Sequence, residues 1–457
     1  MADQLDPVTL LEAGREAARR LAASGRMAYF VGGCVRDRLL GLPVKDLDIA
    51  TDARPQEVAA LFPGTQLVGA SFGVCIAPVG PHRIEIATFR AEGDYQDHRH
   101  PGFVRYGTLA EDVRRRDFTV NALYEDPATG AIVDLVDGRA DLDARVLRCV
   151  GDPDTRFHED ALRLLRAVRF AARFGFRIER RTFDALCQLG DLAMHLSAER
   201  IRDELTAMWT GPDPAGALLL LSRTGLLDII LPEVAAMRGV EQGREFHPEG
   251  DVFEHTMLVM AKLEPRTTRA AWGALLHDVG KPPTFARDAA GRITFREHER
   301  IGAELAREVL ERFRLPSSDI DHICSVVARH MTFSMLQHMR PATLRRFLAA
   351  PTIEDDLAVH RADCLGSNGR LDYWEFARET MASLGEGAAR ALPKPFVGGD
   401  DLLALGVPPG PALGRALREL HDRQLDGEFP DREAALAAAR ALVSGAGAGG
   451  ASGASAP

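Results

Sequence analysis

The spacing of apolar residues divides the chain into a part with predicted strands and a part that is mainly helical. Residues 7–24 repeat apolar positions with helical period and predict an amphipathic helix. Three short runs then predict strands: MAYFVG (27–32), DLDIAT (46–51) and RIEIATFR (83–90). From about residue 153 to about residue 440 the period is helical, with little strand signal. The pattern predicts an α+β protein, in which a mixed sheet with helices is followed by a long all-α body.

Two segments lack a regular period. Residues 91–110 carry Gly, Asp, His and Pro without a clear repeat, which predicts a mobile loop. Residues 444–457 are uncharged and rich in Gly, Ala and Ser, which predicts a disordered tail.

Composition narrows the class of protein. A chain of 457 residues, 46% hydrophobic and 27% charged, has room for two to four domains with substantial cores. Its six cysteines are scattered without a C-x-x-C pair, which fits a reducing cytoplasm better than a disulfide framework. No signal peptide or membrane span is predicted. The net charge of −10 does not indicate a nucleic-acid binder, although a local basic surface is compatible with it.

A Gly-rich turn and a pair of carboxylates stand close together after the first predicted strand. Gly32 and Gly33 precede a predicted helix, where backbone N–H groups can approach phosphate, and Arg36 can add a cation. Asp46 and Asp48 would share one face of a strand and could hold Mg²⁺ together with substrate phosphates. Each motif alone is more often structural, but their close succession favours a site for a metal-bound triphosphate.

Two further stretches carry candidate polar groups. Glu85 is a third strand carboxylate that could bind the metal or orient an attacking hydroxyl, or it could be a surface residue. Arg115 and Arg116 precede Asp117 and Asn121 and suit triphosphate and ribose contacts. A solvated charge run is the alternative for this second stretch.

HEDALRLLRAVRFAARFGF (158–176) predicts one helix that ends before Gly175. Asp160 and Arg163, three residues apart, would share a helix face and place an acceptor beside donors. Such a pair matches the pairing edge of cytosine or adenine, although a surface ion pair has the same spacing. Arg166 and Arg169 continue a basic stripe that could contact phosphates or remain a solvated face.

Together these stretches resemble the successive motifs of the bacterial tRNA nucleotidyltransferase and poly(A) polymerase family. The resemblance rests on VGGCVRDRLLG, DLDIAT, RRDFTVNAL, HEDALRLLRAVRFAARFGF and SAERIRDEL, in unbroken order over about residues 25–235. It implies a nucleotidyltransferase head with helical neck, body and tail. It also implies that Asp46 and Asp48 bind the catalytic Mg²⁺, that Arg115, Arg116 and Asp117 contact ribose and triphosphate, and that Asp160 and Arg163 read the incoming base.

Within this family the resemblance favours a CCA-adding enzyme. Poly(A) polymerases typically carry a basic doublet before a Phe, and LVGASFGVCIAPV lacks it. CC-adding enzymes typically lack the loop before the R-R-D motif, and residues 91–110 supply one. The implied partners are tRNA, CTP and ATP, with no membrane; addition of the whole CCA or only its terminal A stays open, as does the oligomeric state. Alternatives are a poly(A) polymerase, a phosphohydrolase whose head only binds nucleotide, and a non-catalytic RNA-binding protein.

The helical half carries a second constellation. His255 precedes the adjacent His277 and Asp278, and Asp363 follows. This order resembles the HD metal-dependent phosphohydrolase domain, which implies that these four bind a divalent transition metal; His298 and His330 are weaker candidates. The predicted division is a head over 1–150, a helical neck over 151–240, an HD domain over 241–390, a helical tail over 391–443 and the disordered end.

Overall fold

The computed structural model describes residues 7–68, 73–93, 104–243, 250–385 and 392–448. The chain divides into two compact units after Arg238, and Glu308–Leu315 belongs to the first of them. This boundary lies two residues before the predicted end of the neck. The finer division of the chain into five segments stays a prediction.

The first unit contains most of the strands. Its strands are β1 (Ala28–Val31), β2 (Asp48–Thr51), β3 (Gln66–Leu67), β4 (Val74–Val79), β5 (His82–Thr88), β6 (Arg90–Glu92), β7 (Val104–Tyr106), β8 (Tyr124–Glu125), β9 (Ile132–Val133), β10 (Val146–Leu147) and β11 (Arg177–Ile178). Its helices are α1 (Pro7–Ala23), α2 (Gly33–Leu39), α3 (Pro55–Leu61), α4 (Leu109–Arg114), α5 (Gly138–Asp143), α6 (Pro153–Glu159), α7 (Leu162–Phe174), α8 (Arg180–Gln188), α9 (Ala198–Trp209), α10 (Pro214–Arg223), α11 (Leu226–Ile230) and α12 (Pro232–Ala235). Thr119–Asn121 and Gly190–His195 form 3₁₀ turns.

Seven strands form one mixed sheet in the order β3-β4-β5-β2-β1-β8-β9. β2 and β5 are parallel, and the other neighbouring pairs in this sheet are antiparallel. Residues alternate along β5 between buried and exposed positions, with Ile84 and Ile86 buried and Glu85 exposed. One face of the sheet therefore joins the core, and the other presents polar side chains.

The predicted helix over residues 158–174 is wrong at its start, because two helices cover this stretch. α6 ends at Glu159, Asp160 is extended (φ −140°, ψ 103°), and α7 begins at Leu162. α7 then ends as expected, at a left-handed Gly175 (φ 64°). Asp160 and Arg163 therefore do not share a helix face.

The second unit is mainly helical. Its helices are α13 (Val252–Lys262), α14 (Thr268–Leu276), α15 (Lys281–Thr284), α16 (His298–Arg312), α17 (Ser317–Arg329), α18 (Pro341–Leu348), α19 (Ile353–Gly366), α20 (Asp372–Ser383), α21 (Gly399–Ala404), α22 (Pro411–Leu425) and α23 (Arg432–Ala448). His330–His338 is a 3₁₀ helix, and the hairpin of β12 (Phe285–Arg287) and β13 (Ile293–Phe295) interrupts the α-helices. The predicted α+β class with a helical body is confirmed.

The predictions of a loop over 91–110 and a disordered tail over 444–457 are wrong in part. Residues 104–106 form β7 and residues 109–110 begin α4, so the described ends of the predicted 91–110 loop are regular. Residues 444–448 continue α23 instead of being disordered. The remainder of each segment, 94–103 and 449–457, lies outside the described residues. Among the described residues, no helix is long and apolar enough to cross a membrane.

Candidate functional sites

The parallel pairing of β2 with β5 brings the head carboxylates together. Asp48 and Glu85 are direct partners in the register of these strands. Asp46 lies just before β2, so the expectation that both aspartates are on a strand is wrong. Burial, then the negative charges of Glu85 and Asp46, raise the pKa of Asp48 to about 6, although Arg116 opposes them. Such a cluster of like charges fits an oxygen-seeking divalent cation.

The Gly-rich turn beside this cluster has the geometry expected for it. Gly32 takes φ 73° and ψ −125° immediately before α2, a conformation that favours glycine. A Cβ atom there would lie 3.3 Å from Nη1 of Arg116. Arg36, expected to face phosphate, is instead buried: it donates to Asp37 (2.8 Å) and Asn121 (2.5 Å) and stacks on Phe174.

The two arginines of the R-R-D motif share one buried carboxylate that sequence reasoning missed. Asp112 accepts from Nε of Arg115 at 2.8 Å and from Nη2 of Arg116 at 3.2 Å. Arg116 also donates to the hydroxyl of Tyr124 at 2.9 Å, and that hydroxyl donates to Asp112. The spacing of 112 to 115 and 116 was the available signal, since such residues share a helix face.

The aspartate of the same motif holds an arginine of α7. Asp117 accepts from Arg166 at 2.7 and 2.9 Å, from Asn121 at 3.1 Å and from the Phe118 amide at 2.7 Å. Burial alone would raise the pKa of Asp117, but Arg166 outweighs it and lowers the pKa to about 2. Asp117 and Asn121 therefore act in this structure as partners of arginines.

The predicted base-reading residues are separated by the break between α6 and α7. Asp160 caps the start of α7 through the Leu162 amide (3.1 Å) and pairs with Arg200 of α9 at 3.0 and 3.1 Å. Arg163 is 91% buried at its side chain and donates to Glu159 at 2.7 Å. It also donates to the carbonyl oxygens of Arg156 (2.9 Å) and Arg115 (2.8 Å).

Three arginines that follow Arg163 on α7 are ion-paired within the first unit. Arg166 pairs with Asp117, Arg169 with Glu204 at 2.6 Å, and Arg173 with Asp37 at 3.4 Å. Arg166 and Arg169 also lie over the ring of Phe170. The stripe is thus part of the packing of α7.

The second unit brings all six of its predicted metal-binding residues into one cluster. His255 lies on α13, Asp363 on α19, and His277 and Asp278 in the turn after α14. His298 begins α16, and His330 begins the 3₁₀ helix after α17. Nε2 of His255 is 3.0 Å from Asp363 and 3.8 Å from Asp278. Five elements that are distant in sequence therefore converge on Asp278.

The two oxygens of Asp278 face different pairs of histidines. Oδ2 lies 3.2 Å from Nε2 of His277 and faces the side of His255. Oδ1 lies 3.6 Å from Nε2 of His298 and 3.7 Å from Nε2 of His330. Two groups of possible ligands result, His255–His277–Asp278 and Asp278–His298–His330, and both are buried.

The histidine rings are oriented for metal binding. Nδ1 of His277, His298 and His330 lies 2.7–2.8 Å from a backbone carbonyl of the preceding turn. If Nδ1 carries the proton, Nε2 offers its lone pair to the cluster. Burial lowers the pKa of His330 to about 3, so that ring is neutral at pH 7, as a ligand must be. These donors fit a divalent transition metal.

Two polar residues next to the cluster escaped sequence reasoning. Nζ of Lys281 lies 2.7 Å from Oδ2 of Asp278 and donates to Gln242 at 2.6 Å. Burial would raise the pKa of Asp278, but His277 and Lys281 hold it well below its usual value. Lys281 follows the H-D pair by three residues, which was the available signal.

Gly280 allows a close approach between two backbone segments. Its φ of −82° is open to any residue, but a Cβ atom would lie 2.1 Å from the carbonyl oxygen of His298 and 2.6 Å from the Gly302 amide. The turn that carries His277 and Asp278 therefore packs directly on the start of α16.

A cavity of ≈ 640 Å³ opens beside the histidine cluster. Asp278, Lys281, His298, His330 and Asp363 line its inner end. Phe295, Met331, Asn368, Arg370 and Tyr373 are among the residues that line the remainder. The cavity therefore combines the charged candidate ligands with a mixed lining of apolar and polar side chains.

The fold and both sites define a nucleotidyltransferase head joined to an HD domain. Family models match in the same order: the poly A polymerase head domain over residues 28–148, the probable RNA- and SrmB-binding site of polymerase A over 175–238, and the HD domain over 252–367.

Full-length relatives identify the family. A CCA-adding enzyme of Levilactobacillus brevis is 33% identical over 94% of this chain and 97% of its own length. An A-adding tRNA nucleotidyltransferase of Deinococcus radiodurans is 35% identical over 88% of this chain and 92% of its own. The crystal structure of the Bacillus stearothermophilus CCA-adding enzyme in complex with CTP matches with a TM-score of 0.74 at 28% identity, over 96% of this chain and 99% of that one. The chain belongs to the tRNA nucleotidyltransferase family, which confirms the resemblance in its motifs.

Proposed function

We propose that this protein extends the 3′ end of tRNA with CCA, or with its terminal A, using CTP and ATP in the cytoplasm. The observation that carries the proposal is the Asp46–Asp48–Glu85 cluster beside the Gly32 turn. It lies in a chain that aligns over nearly its whole length with CCA-adding and A-adding relatives.

The proposed roles follow from the positions of these residues. Asp46 and Asp48 would hold Mg²⁺, and Glu85 would orient the RNA 3′-hydroxyl towards the α-phosphate. When bound, Mg²⁺ would supply charge neutralisation at the phosphates and acidify that hydroxyl. The charge on Asp48 that this requires is disfavoured by burial and by its two acidic neighbours, which raise its pKa to about 6.

The nucleotide is held by groups around this cluster. Arg115 and Arg116, fixed by Asp112, face the triphosphate, and backbone amides of the Gly32–Gly33 turn add donors. Asp117, Asn121, Arg36 and Arg166 support the pocket through their mutual contacts, and Arg169 supports it through Glu204. Asp160 accepts from the exocyclic amine of cytosine or adenine, and Arg163 fixes the turn before it.

Three tRNA transcripts test the proposal, ending before CCA, after the first C and after CC, each incubated with CTP and ATP. Extension of all three indicates CCA addition, and extension of the CC-ended transcript alone indicates A addition. Long adenylate tails would instead indicate a poly(A) polymerase. Failure to extend any transcript would contradict the proposal.

The second unit supports a further activity, hydrolysis of phosphoesters. The observation that favours it is the convergence of four histidines and two aspartates in one cluster, of which His298, His330, Asp278 and Asp363 line the cavity. His255, His277, Asp278 and Asp363 would hold one divalent transition metal ion, and Asp278, His298 and His330 form a second group of possible ligands that could hold another. Bound metal would supply an activated water. Lys281 neutralises the phosphate, and a 2′,3′-cyclic phosphate at a damaged RNA end is a fitting substrate.

Phosphoesterase assays with Mg²⁺, Mn²⁺, Ni²⁺ and Co²⁺ test this activity. We expect metal-dependent hydrolysis that Asp278→Ala abolishes while nucleotide addition persists, because the ligands of the two sites lie in different units. Absence of hydrolysis with all four metals would contradict the proposed phosphoesterase activity. Loss of both activities in an Asp278→Ala variant that still melts cooperatively would also contradict this proposal.

A further inference from the structure

The turn that follows α19 carries a guanidinium at the mouth of the cavity beside the histidine cluster. Arg370 lines this cavity, and its side chain is 76% exposed. Asp278 and Lys281 line the same cavity with side chains only 2% and 7% exposed. Buried lining residues lie deep in a cavity, whereas a largely exposed one lies where it opens. Arg370 is therefore a second cation, on the path by which a substrate reaches the candidate metal ligands.

The position of this turn is tied to a candidate ligand through the backbone. α19 carries Asp363, whose carbonyl oxygen accepts from the hydroxyl of Ser367 at 2.9 Å. The Gly369 amide then donates to the carbonyl oxygen of Cys364 at 2.7 Å, with φ 76° at Gly369. The turn is thus a hydrogen-bonded end of the helix. Arg370 follows it directly, at a separation from Asp363 that the helix sets.

The guanidinium of Arg370 has a partner that a phosphate could replace. Its Nη2 and Nε lie 2.7 and 3.2 Å from one oxygen of Asp372, whose side chain is 54% exposed. An ion pair so open to water contributes little to stability, so exchanging the carboxylate for a phosphate costs little. The planar donors of a guanidinium match two oxygens of a phosphate.

The walls between these two cations suit a nucleoside. The ring of Phe295 lies 5.5 Å from Nζ of Lys281, and Tyr373 directly follows Asp372; both aromatic residues line the cavity. Aromatic rings stack on nucleobases with little dependence on sequence. The volume of ≈ 640 Å³ is typical of sites that enclose a whole small molecule. The cavity therefore has room for a sugar and a base as well as for the reacting phosphate.

We propose that Arg370 binds the phosphodiester that precedes the terminal nucleotide, so that this site selects the 3′ end of an RNA strand over free nucleotides. The inference rests on the proposed phosphoesterase activity and names its substrate class. In that reaction the oxygen of water bonds to phosphorus, one P–O bond from the cyclic phosphate to the ribose breaks, and the released ribose oxygen takes up a proton from the water. A free nucleotide lacks the second phosphate, so only a strand would use both cations.

The test compares two probes on the full chain, in the transition metal that supports hydrolysis. They are adenosine 2′,3′-cyclic monophosphate and the adenosine dinucleotide that ends in a 2′,3′-cyclic phosphate. We expect the wild type to have the higher kcat/KM for the dinucleotide. Arg370→Gln should lower this preference by about tenfold, mainly through the KM of the dinucleotide, as for one lost charge-assisted hydrogen bond. Added salt should weaken the preference of the wild type, because the contact is exposed.

Three further variants separate phosphate binding from a structural role. Asp372→Asn should raise the preference about two- to threefold, because it removes the carboxylate that competes for Arg370, and this gain should shrink in the Arg370→Gln background. Arg370→Lys should retain part of the preference. Arg378→Gln is the matched control and should change nothing, since this exposed arginine of α20 pairs with Glu354 at 3.5 Å and does not line the cavity. Melting temperatures of all variants report folding.

The outcomes are distinct. A wild type that hydrolyses both probes with equal kcat/KM, or an Arg370→Gln variant with an unchanged preference, overturns the inference and leaves the phosphoesterase activity intact. Equal loss of hydrolysis of both probes in a folded Arg370→Gln variant also overturns it. A wild type that hydrolyses neither probe with any of the four metals overturns the proposed phosphoesterase activity and this inference with it.

Discussion

The carboxylate cluster of the head and the histidine cluster of the second unit are both candidate metal sites, but they are built on opposite principles. In the head, Asp46 and Glu85 are exposed and Asp48 is partly buried, and the candidate ligands are oxygen atoms. In the second unit, His255 and Asp278 have side chains 0% and 2% exposed, and most ligands are nitrogen atoms.

The difference concerns when each site is complete. Two or three exposed oxygens hold Mg²⁺ weakly, so the ion is retained only when the triphosphate supplies further oxygens. Buried imidazoles oriented by backbone carbonyls form the site before any ion arrives. We therefore expect a transient ion in the head and a resident one in the HD domain.

Loss of the head carboxylates should have the largest effect. Asp46→Ala combined with Asp48→Ala should lower the rate of nucleotide addition by about 10³-fold or more, since charge neutralisation provides most of the acceleration. Phosphoester hydrolysis and tRNA binding should persist, as measured by phosphate release and filter binding. Asp52→Ala is the matched control, because Asp52 follows the same strand but accepts from the Met27 amide. Wild-type addition by the double variant would contradict the assignment.

Brief chelation should separate the two ions. After EDTA and gel filtration, Mg²⁺ alone should restore nucleotide addition at once, whereas hydrolysis should survive the treatment or return only with a transition metal. Bound metal should also raise the melting temperature of the second unit, because it binds the folded state. Two results together would contradict the expectation of a resident ion in the HD domain. Freshly purified protein would contain no transition metal, and adding one would not raise the melting temperature.

Because the two oxygens of Asp278 face different pairs of histidines, removing one pair should reduce metal binding and hydrolysis only in part. His298→Ala with His330→Ala should lower the metal content from about two ions to about one per chain and reduce hydrolysis by about 10–100-fold. Asp363→Ala should instead weaken the ion on the side of His255. Titration calorimetry or metal analysis gives the number of metal ions bound per chain. If the His298→Ala, His330→Ala variant binds as many ions as the wild type, the cluster binds one ion and not two.

The smallest expected effect concerns a buried carboxylate outside the cluster. Burial raises the pKa of Asp356 to about 6, even with Arg329 at 3.3 Å, whereas Asp278 is held low by its partners. A raised carboxyl pKa stabilises the fold below the unfolded value near 4, and that stability is lost as the pH rises through about 6.

Asp356→Asn should therefore be most favourable to stability at pH 7, by about 1–3 kcal/mol relative to the wild type. The advantage should shrink as the pH falls through 6 towards 4, which thermal melts at several pH values would reveal. Glu354→Gln, an exposed change on the same helix, should show no such dependence. A constant difference across this range would show that ionisation of Asp356 is not the cause.

The sequence predicts the head site better than the neck because the signals differ in kind. Strand alternation places Asp48 and Glu85 on the polar side of β2 and β5, and only their register had to be learned from the structure. The apolar period across residues 158–174 is continuous, so nothing local indicates the break at Asp160. That break is stabilised by Arg200, 40 residues away, through a contact that periodicity does not report.

The histidines show a similar limit. His298 and His330 had little weight as isolated residues, because a single histidine on a helix indicates little about metal binding. Their place in the cluster follows from the fold, which brings the start of α16 and the residue after α17 to Asp278. The supporting residue Gln242 was missed for the same reason, because it acts through Lys281, a neighbour 39 residues away in sequence that only the fold brings close.

The close backbone contact at Gly280 means that one added carbon atom would change the spacing of residues in the HD cluster. Because the two halves of the cluster meet through backbone atoms of Gly280, His298 and Gly302, alanine at position 280 would act as a wedge that leaves every ligand in the sequence. Such a protein would keep every candidate ligand while the start of α16, which carries His298, is pushed away from Asp278. Gly280→Ala is therefore a way to change the distance between His298 and Asp278, where a ligand variant can only remove one of them.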